Sequence, residues 1–356
     1  MDKVLVGMSG GVDSAVAALL LKRAGYDVTG VTLRTWQSDD GSESHCCDID
    51  DARDVAAQIG IEYHTLNCTS DFQKCVVDPF AEEYLKGRTP NPCIVCNRYL
   101  KWDKLLYFAK VIGAKYIATG HYASIVKLDN GRYSVKKAKH SEKDQAYMLY
   151  KLSQEQLAAT LMPLGDMSKD EVRQIAIDAG LSVASKPDSQ EICFVTDGSY
   201  AEYIEKTASH DDLKEGFFVD LNGNILGKHK GIIHYTVGQR KGLGLALGYP
   251  AYVKEIRVES NEVVISDDSS LYGKELLCSD LNFMSIPNLE EGESLSCSVK
   301  IRYHHDGTNA LITKTDGDTV KVTFEEAVRA ATPGQSAVFY DEEGRVIGGG
   351  IISKVL

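Results

Sequence analysis

The sequence has no run of about 18 apolar residues, so no membrane-spanning helix is expected. No basic segment or cleavage site precedes its first apolar run, so no secretory signal is expected either. Its nine cysteines are odd in number and unevenly spaced. That argues against a secreted disulfide framework and for a reducing cytosol, hence a cytoplasmic location. Positive charge is in deficit, with 39 Lys and Arg against 51 Asp and Glu, a net charge of −12. This excludes a protein that coats nucleic acid through bulk charge, but not one that binds RNA through local patches. Basic clusters do occur, at Lys136, Lys137, Lys139 and Lys143, and at Lys228, Lys230, Arg240 and Lys241. No tandem repeat or low-complexity tract is present.

What is present suits two or three domains: 356 residues, 43% of them hydrophobic. Val4–Met8, Val28–Leu33, Tyr63–Leu66 and Tyr116–Thr119 read as strands alternating with helices. This predicts a doubly wound parallel α/β sheet, whose ligands bind beyond the C-terminal strand ends. Ser124–Val135 reads as a hairpin around Asn130-Gly131, and Ser168 to Glu171 as a capping box opening a helix. From about Gly216 the pattern becomes short strands separated by turns, long enough for two small β barrels. Phe217–Val219, Ile232–Tyr235, Tyr252-Val253, Val263–Ile265, Leu295–Ile301, Ala310–Thr313, Val320–Phe324 and Ala337–Tyr340 are the strand candidates. The predicted domains are 1–208 (α/β), 209–280 (central β) and 281–356 (C-terminal β barrel).

The first strand runs into Ser9-Gly10-Gly11-Val12-Asp13-Ser14, followed by a helix. Glycines let backbone N–H groups approach oxyanions, and the helix start adds unpaired donors and a positive dipole end. The Walker lysine is absent. The S-G-G-x-D-S pattern resembles the pyrophosphate loop of the ATP pyrophosphatases, which implies an ATP site. The bland alternative is a glycine turn with no ligand.

A second informative stretch runs from Gly87 through Arg88-Thr89-Pro90-Asn91-Pro92-Cys93 to Cys96-Asn97. Its two prolines predict an extended segment, with a helix resuming near Leu100 and Cys96 near that helix's N-terminus. A Cys-x-x-Cys alone fits a redox pair, half a zinc site or part of an iron–sulfur site. Tetrahedral zinc wants four ligands, and no second Cys-x-x-Cys exists. The third stretch is Ser185-Lys186-Pro187-Asp188-Ser189-Gln190-Glu191-Ile192-Cys193-Phe194. Cys46 and Cys47 read as incidental thiols; Cys68, Cys75, Cys278 and Cys297 read as structural.

These stretches, with Ala118 to Ala123, Lys143-Asp144-Gln145 and Tyr235 to Leu243, together resemble the tRNA-specific 2-thiouridylases of the PP-loop family. The resemblance runs from about residue 3 to the end. It implies an adenine nucleotide alpha-hydrolase-like catalytic domain followed by two small β barrels. It implies ATP at Gly7, Met8, Ser9, Gly10, Gly11, Val12, Asp13 and Ser14, with Leu33 and Gly120 around the adenosine. The wobble uridine, position 34, would sit near Asn91, Pro92 and Cys93. Lys143, Asp144, Gln145, Gln239, Arg240, Lys241, Arg302 and Tyr303 would contact tRNA. Adenylation turns the poorly leaving uracil oxygen into AMP. In the family scheme Cys193 then delivers persulfide sulfur and Cys96 resolves the persulfide, as freed sulfide or by a disulfide. Mg²⁺ would accompany the triphosphate. The implied partners are tRNAs for Lys, Glu and Gln and an upstream persulfide donor, a cysteine desulfurase or sulfur carrier.

Some family members carry Asp where this chain has Cys93. Cys93, Cys96 and Cys193 therefore also resemble the three ligands of iron–sulfur-dependent tRNA thiolases, which would hold a [4Fe–4S] cluster. Relay and cluster stay open at this point. So do three other readings: a pyrophosphatase acting on a small metabolite, a non-catalytic RNA-binding or sulfur-carrier protein, and a Cys93/Cys96 redox protein.

Overall fold

The computed structural model describes residues 1–36, 48–188, 192–195, 200–207 and 213–356. Cys46, Cys47, Ser189, Gln190 and Glu191 lie outside the described residues.

The first strand, Lys3–Gly7, is apolar at Val4, Leu5 and Val6 because it is covered on both faces. Val4 and Val6 pack with the helix Val12–Arg23, while Leu5 joins a separate core on the opposite face. It pairs in parallel with Asp27–Arg34 on one side and Tyr116–Ala118 on the other. Glu62–Asn67 and Thr160–Leu161 complete a five-stranded parallel sheet. The chain direction away from the first strand reverses between Lys3–Gly7 and Tyr116–Ala118, the crevice where open α/β sheets take ligands. The Ser9 loop, Leu33 and Gly120 all lie on that C-terminal edge, as the parallel registers require.

The expected hairpin is present as Ala123–Lys127 and Tyr133–Lys137, and the helix Lys169–Asp178 carries the expected capping box at Ser168. Beyond it, Gly216–Val219, Ile225–His229, Tyr252–Arg257 and Glu262–Ser266 form the four-stranded sheet of the central β domain. Ile232–Tyr235, expected as a strand, opens with a 3-10 turn at Ile232–His234. Both isoleucines are buried, so this apolar run is a core plug, not one face of a pleat.

Six antiparallel strands then close a barrel. Its first strand, Tyr272–Phe283, crosses the expected 280/281 boundary and pairs with Val320–Arg329 and Val346–Val355. The last domain therefore begins near 272. The closing strand Val346–Val355 gave no strand signal because of Gly348-Gly349-Gly350. A Cβ on Gly349 would come within 2.7 Å of the Ala337 carbonyl and of the Tyr150 ring, so the glycines permit the close approach that closes the barrel.

Candidate functional site

The phosphate loop is pre-shaped by its own side chains. Ser9 N donates to Ser14 Oγ at 3.1 Å, and Ser14 Oγ donates to Gly11 O at 3.1 Å. Gly10 takes a φ of +75°, open to glycine without strain. A Cβ there would collide with the Asp48 carbonyl, and Asp48 N donates to Ser9 O at 3.1 Å. Met8 and Val12 are buried anchors on either side, while Ser9 is exposed. Gly7 ends the strand, Gly11 caps the helix, and Leu33 is buried at the neighbouring strand's end. Gly120 abuts the loop so closely that a Cβ would meet Ser14 N at 2.6 Å and the Asp13 carbonyl carbon at 2.7 Å.

Asp13 points into a charged cluster. Its carboxylate accepts from Lys169 Nζ at 2.8 and 2.9 Å and from the Tyr122 hydroxyl at 2.7 Å. Lys169 also pairs with Asp188 at 2.7 Å, and Asp188 accepts from Lys143 at 2.8 Å and Arg173 at 3.2 Å. Burial pushes the Asp188 carboxyl up, but the hydrogen bonds and charges of Lys143 and Lys169 outweigh it and bring it to about 2. Lys186 pairs with Asp48 at 2.8 Å and with Asp51. The Ser185–Asp188 stretch is thereby tied twice to the surroundings of the phosphate loop. Lys169 carried no sequence signal: in the chain it reads only as the first residue after a helix cap.

The cysteine helix starts earlier than expected. Pro92 is its first residue, where a missing N–H costs nothing, and the Asn91 side chain accepts from Cys93 N at 3.1 Å. Pro92–Cys96 continues through a wider-wound stretch, Asn97–Lys101, into Trp102–Val111. Only Asn91 and the residues before it are extended, as a following proline dictates. Cys93, not Cys96, therefore sits in the first turn: Cys93 is exposed and Cys96 is buried. Cys193 is half-buried against the same core cluster as Cys96. Its neighbour Phe194 is fully enclosed by Trp36, Phe72, Phe80 and Tyr203, with ring centroids 5.2 to 6.3 Å away. Among the described residues no three or more His, Cys, Asp or Glu side chains gather closely enough to hold a metal ion. Cys93, Cys96 and Cys193 form no such group among the described residues.

The C-terminal barrel touches this site. Thr89 N donates to Pro333 O at 2.9 Å, and Gln335 Nε2 donates to Thr89 O at 2.8 Å. Two residues on, Ser336 O accepts from the Tyr147 hydroxyl at 2.8 Å. Tyr303 packs on Tyr147 at 6.2 Å, and burial pushes its phenol up, with the Asp144 and Cys93 charges adding to the shift. Arg302 is braced by the Arg329 carbonyl at 3.1 Å.

The expected RNA contacts divide into supports and outward groups. Asp144 is buried, its Oδ1 accepting from Ala138 N and Ala146 N. The Gln145 side chain accepts from Tyr122 N at 3.0 Å. Gln239 spends its amide on Thr236 N and Lys241 O, shaping a loop from which Arg240 and Lys241 project. Lys143 is partly exposed and paired with Asp188.

A family model described as the tRNA methyl transferase HUP domain matches residues 2–197. The tRNA methyl transferase PRC-barrel domain matches 203–267, and the aminomethyltransferase beta-barrel domain 273–352. The tRNA-specific 2-thiouridylase MnmA of Lachnoclostridium phytofermentans is 53% identical over 361 residues, 99% of this chain and 100% of its own. That of Clostridioides difficile is 52% identical, over 99% of each chain. Among solved structures, the U34-tRNA thiolase NcsA from Methanococcus maripaludis with its [4Fe-4S] cluster aligns at a TM-score of 0.36 and 20% identity, over 54% of this chain and 60% of its own. That likeness is too distant to transfer chemistry.

Proposed function

The chain belongs to the tRNA-specific 2-thiouridylase family, a family of sulfur transferases acting on tRNA uridine, and from that membership we propose how its residues divide the reaction. The observation that supports the division is convergence. Leu33 at the C-terminal sheet edge, Ile94 and Cys96 of the cysteine helix, and Cys193 share one core cluster, and the phosphate loop leaves the first strand at that same edge.

ATP lies with its phosphates on Gly10 to Ser14. Asp13, paired here with Lys169 and Tyr122, is the loop carboxylate that would meet a nucleotide-borne Mg²⁺, and that ion would supply charge neutralisation. The wobble uridine enters between Asn91–Cys93 and Tyr303. Its O2 attacks the α-phosphorus, pyrophosphate leaves with the bonding pair, and the N3 proton is lost. The terminal sulfur of a Cys193 persulfide attacks C2, and AMP departs. The Cys96 thiolate then attacks Cys193 Sγ. The terminal sulfur leaves with the S–S electron pair as the thiocarbonyl, and a Cys96–Cys193 disulfide remains for an external thiol to reduce. Burial keeps Cys96 from competing thiols until this step. Arg240, Lys241, Lys143 and Arg302 meet the tRNA backbone, which resolves how an acidic chain binds RNA: phosphate contacts are local. The accepting tRNAs are those for Lys, Glu and Gln, and the donor is a persulfide-bearing protein.

Nucleoside mass spectrometry on unmodified tRNA, incubated with ATP, Mg²⁺ and a persulfide donor, tests this. The parent forms 2-thiouridine and Cys193→Ser does not. Undiminished product from Cys193→Ser overturns the relay, and product that depends on iron reconstitution replaces it with cluster chemistry.

A further inference from the structure

We propose that Lys186 is a further catalytic residue: its ammonium pairs with the β,γ-phosphates of ATP and neutralises the pyrophosphate as it leaves. The inference deepens the reading of Ser9–Ser14 as the nucleotide site and rests on it.

The loop has a charge problem that its own residues do not solve. Ser9 to Ser14 offer backbone N–H groups and one carboxylate, Asp13, but no cation. Adenylation breaks the bond from the α-phosphorus to the bridging oxygen, and that oxygen leaves on the pyrophosphate with the electron pair. Charge therefore grows at the pyrophosphate end in the transition state, and a fixed cation there lowers the barrier. A Mg²⁺ at Asp13 would offset part of this charge. The remainder calls for a side chain from elsewhere in the chain.

Among the described residues, two lysines flank the loop, at opposite ends. Lys169 lies at the Asp13 end and is spent on Asp13 and Asp188. Lys186 lies at the Ser9–Gly10 end, and Asp48 is the link. Asp48 N donates to Ser9 O at 3.1 Å, and a Cβ on Gly10 would come within 2.7 Å of the Asp48 Cβ. The Lys186 ammonium is 2.8 Å from the carboxylate of that same Asp48 and pairs also with Asp51. It therefore stands one side chain away from the loop backbone.

Its present bonds suit it to the task. An ammonium has three donors, and Asp48 and Asp51 account for two of them among the described residues. A phosphate oxygen can take a third bond without any rearrangement of the chain. The two carboxylate side chains are 42% and 39% exposed, and Asp48 also accepts from Asp51 N at 3.1 Å. Water can thus replace the ammonium if it swings fully onto phosphate. Burial pulls the Lys186 ammonium down, but its hydrogen bonds to Asp48 and Asp51 outweigh that and hold it above the ordinary lysine value. Lys186 is charged before ATP arrives, and it gives up no proton in the step.

The test is isothermal titration of the full-length protein, in Mg²⁺, with ATP, inorganic pyrophosphate and AMP. In Lys186→Met, affinity for ATP and for pyrophosphate falls about tenfold or more, the scale of one lost charge-assisted contact. AMP lacks the β,γ-phosphates and stays within about twofold of the parent. Turnover in thiouridine formation falls by about a hundredfold, because the charge is greatest in the transition state. Lys186→Arg recovers part of both losses. Asp51→Asn, one helical turn beyond Asp48, removes a resting partner of Lys186 and binds ATP at least as tightly as the parent. Equal losses of AMP and ATP in Lys186→Met would mean that the lysine only shapes the loop through Asp48, and would overturn the proposal. ATP affinity within about twofold of the parent would overturn it too, as would an Asp51→Asn that weakens ATP as much as Lys186→Met does. A parent that binds neither ATP nor AMP refutes the nucleotide site itself, a result distinct from all of these.

Discussion

Gly120→Ala isolates the contact between the two strand ends that frame the proposed nucleotide site. One methyl group is added, on a residue whose backbone does not occupy the left-handed region. The added Cβ would lie 2.6 Å from Ser14 N, 2.7 Å from the Asp13 carbonyl carbon and 3.0 Å from its oxygen. All three are backbone atoms at the start of the helix that follows the phosphate loop, so no flexible side chain can swing away. Overpacking of this kind costs about 1–3 kcal/mol. Here the strain falls on the donors that must meet phosphate, because Ser14 also fixes Ser9 and Gly11 through its hydroxyl. At about 1.4 kcal/mol per factor of ten, ATP affinity falls roughly tenfold to a hundredfold. The strand Tyr116–Ala118 itself is not strained, so the circular dichroism spectrum stays that of the parent. Isothermal titration with ATP and Mg²⁺ measures the effect. An affinity within about twofold of the parent, below 0.5 kcal/mol on the same scale, refutes the placement of the phosphates beside Gly120.

Removing the barrel's grip on the cysteine helix by Gln335→Ala should lower the turnover number about tenfold, the scale of one misplaced positioning contact, with ATP affinity unchanged; steady-state thiouridine formation checks it, and unchanged turnover refutes it. Phe194→Ala should cost about 3–5 kcal/mol where the cage is lost, seen in urea unfolding, and a loss below about 1 kcal/mol would show that the cage does not anchor this segment. Asp188 is held near 2 in the folded protein against an ordinary 3.8, so its contribution to stability is complete above about pH 4 and is lost as pH falls through about 2. Acid unfolding of Asp188→Asn should therefore depend less on pH in that window than the parent, and parallel curves would contradict the ion cluster.

The parallel sheet was legible because its strands are short apolar runs bounded by glycine and polar turns, and the phosphate loop because its residues are contiguous. What stayed hidden depends on residues far apart in the chain. Lys169 lies 156 residues from its partner Asp13, and nothing local distinguishes it from a solvated lysine. The helix at Pro92 is hidden in the sequence because proline reads as a breaker, although at the first helical position its missing N–H has no partner to lose. The last barrel strand was hidden by three glycines, which remove the side chains that announce a strand while allowing the contact that closes the barrel.

The anchoring of the site also gives the C-terminal barrel a reason to accompany the α/β unit. The turn Pro333–Ser336 holds Thr89, just ahead of the cysteine helix, and Tyr147, just after Lys143-Asp144-Gln145. These two segments come from opposite sides of the sheet's fourth strand in the chain order, and neither is fixed by the sheet itself. Arg302 and Tyr303, which we propose meet tRNA, belong to the same barrel. The barrel reinforces a spacing that the α/β unit also fixes by itself, because Asn97 Nδ2 donates to Met148 O at 3.1 Å and so ties the cysteine helix directly to the turn after Lys143-Asp144-Gln145.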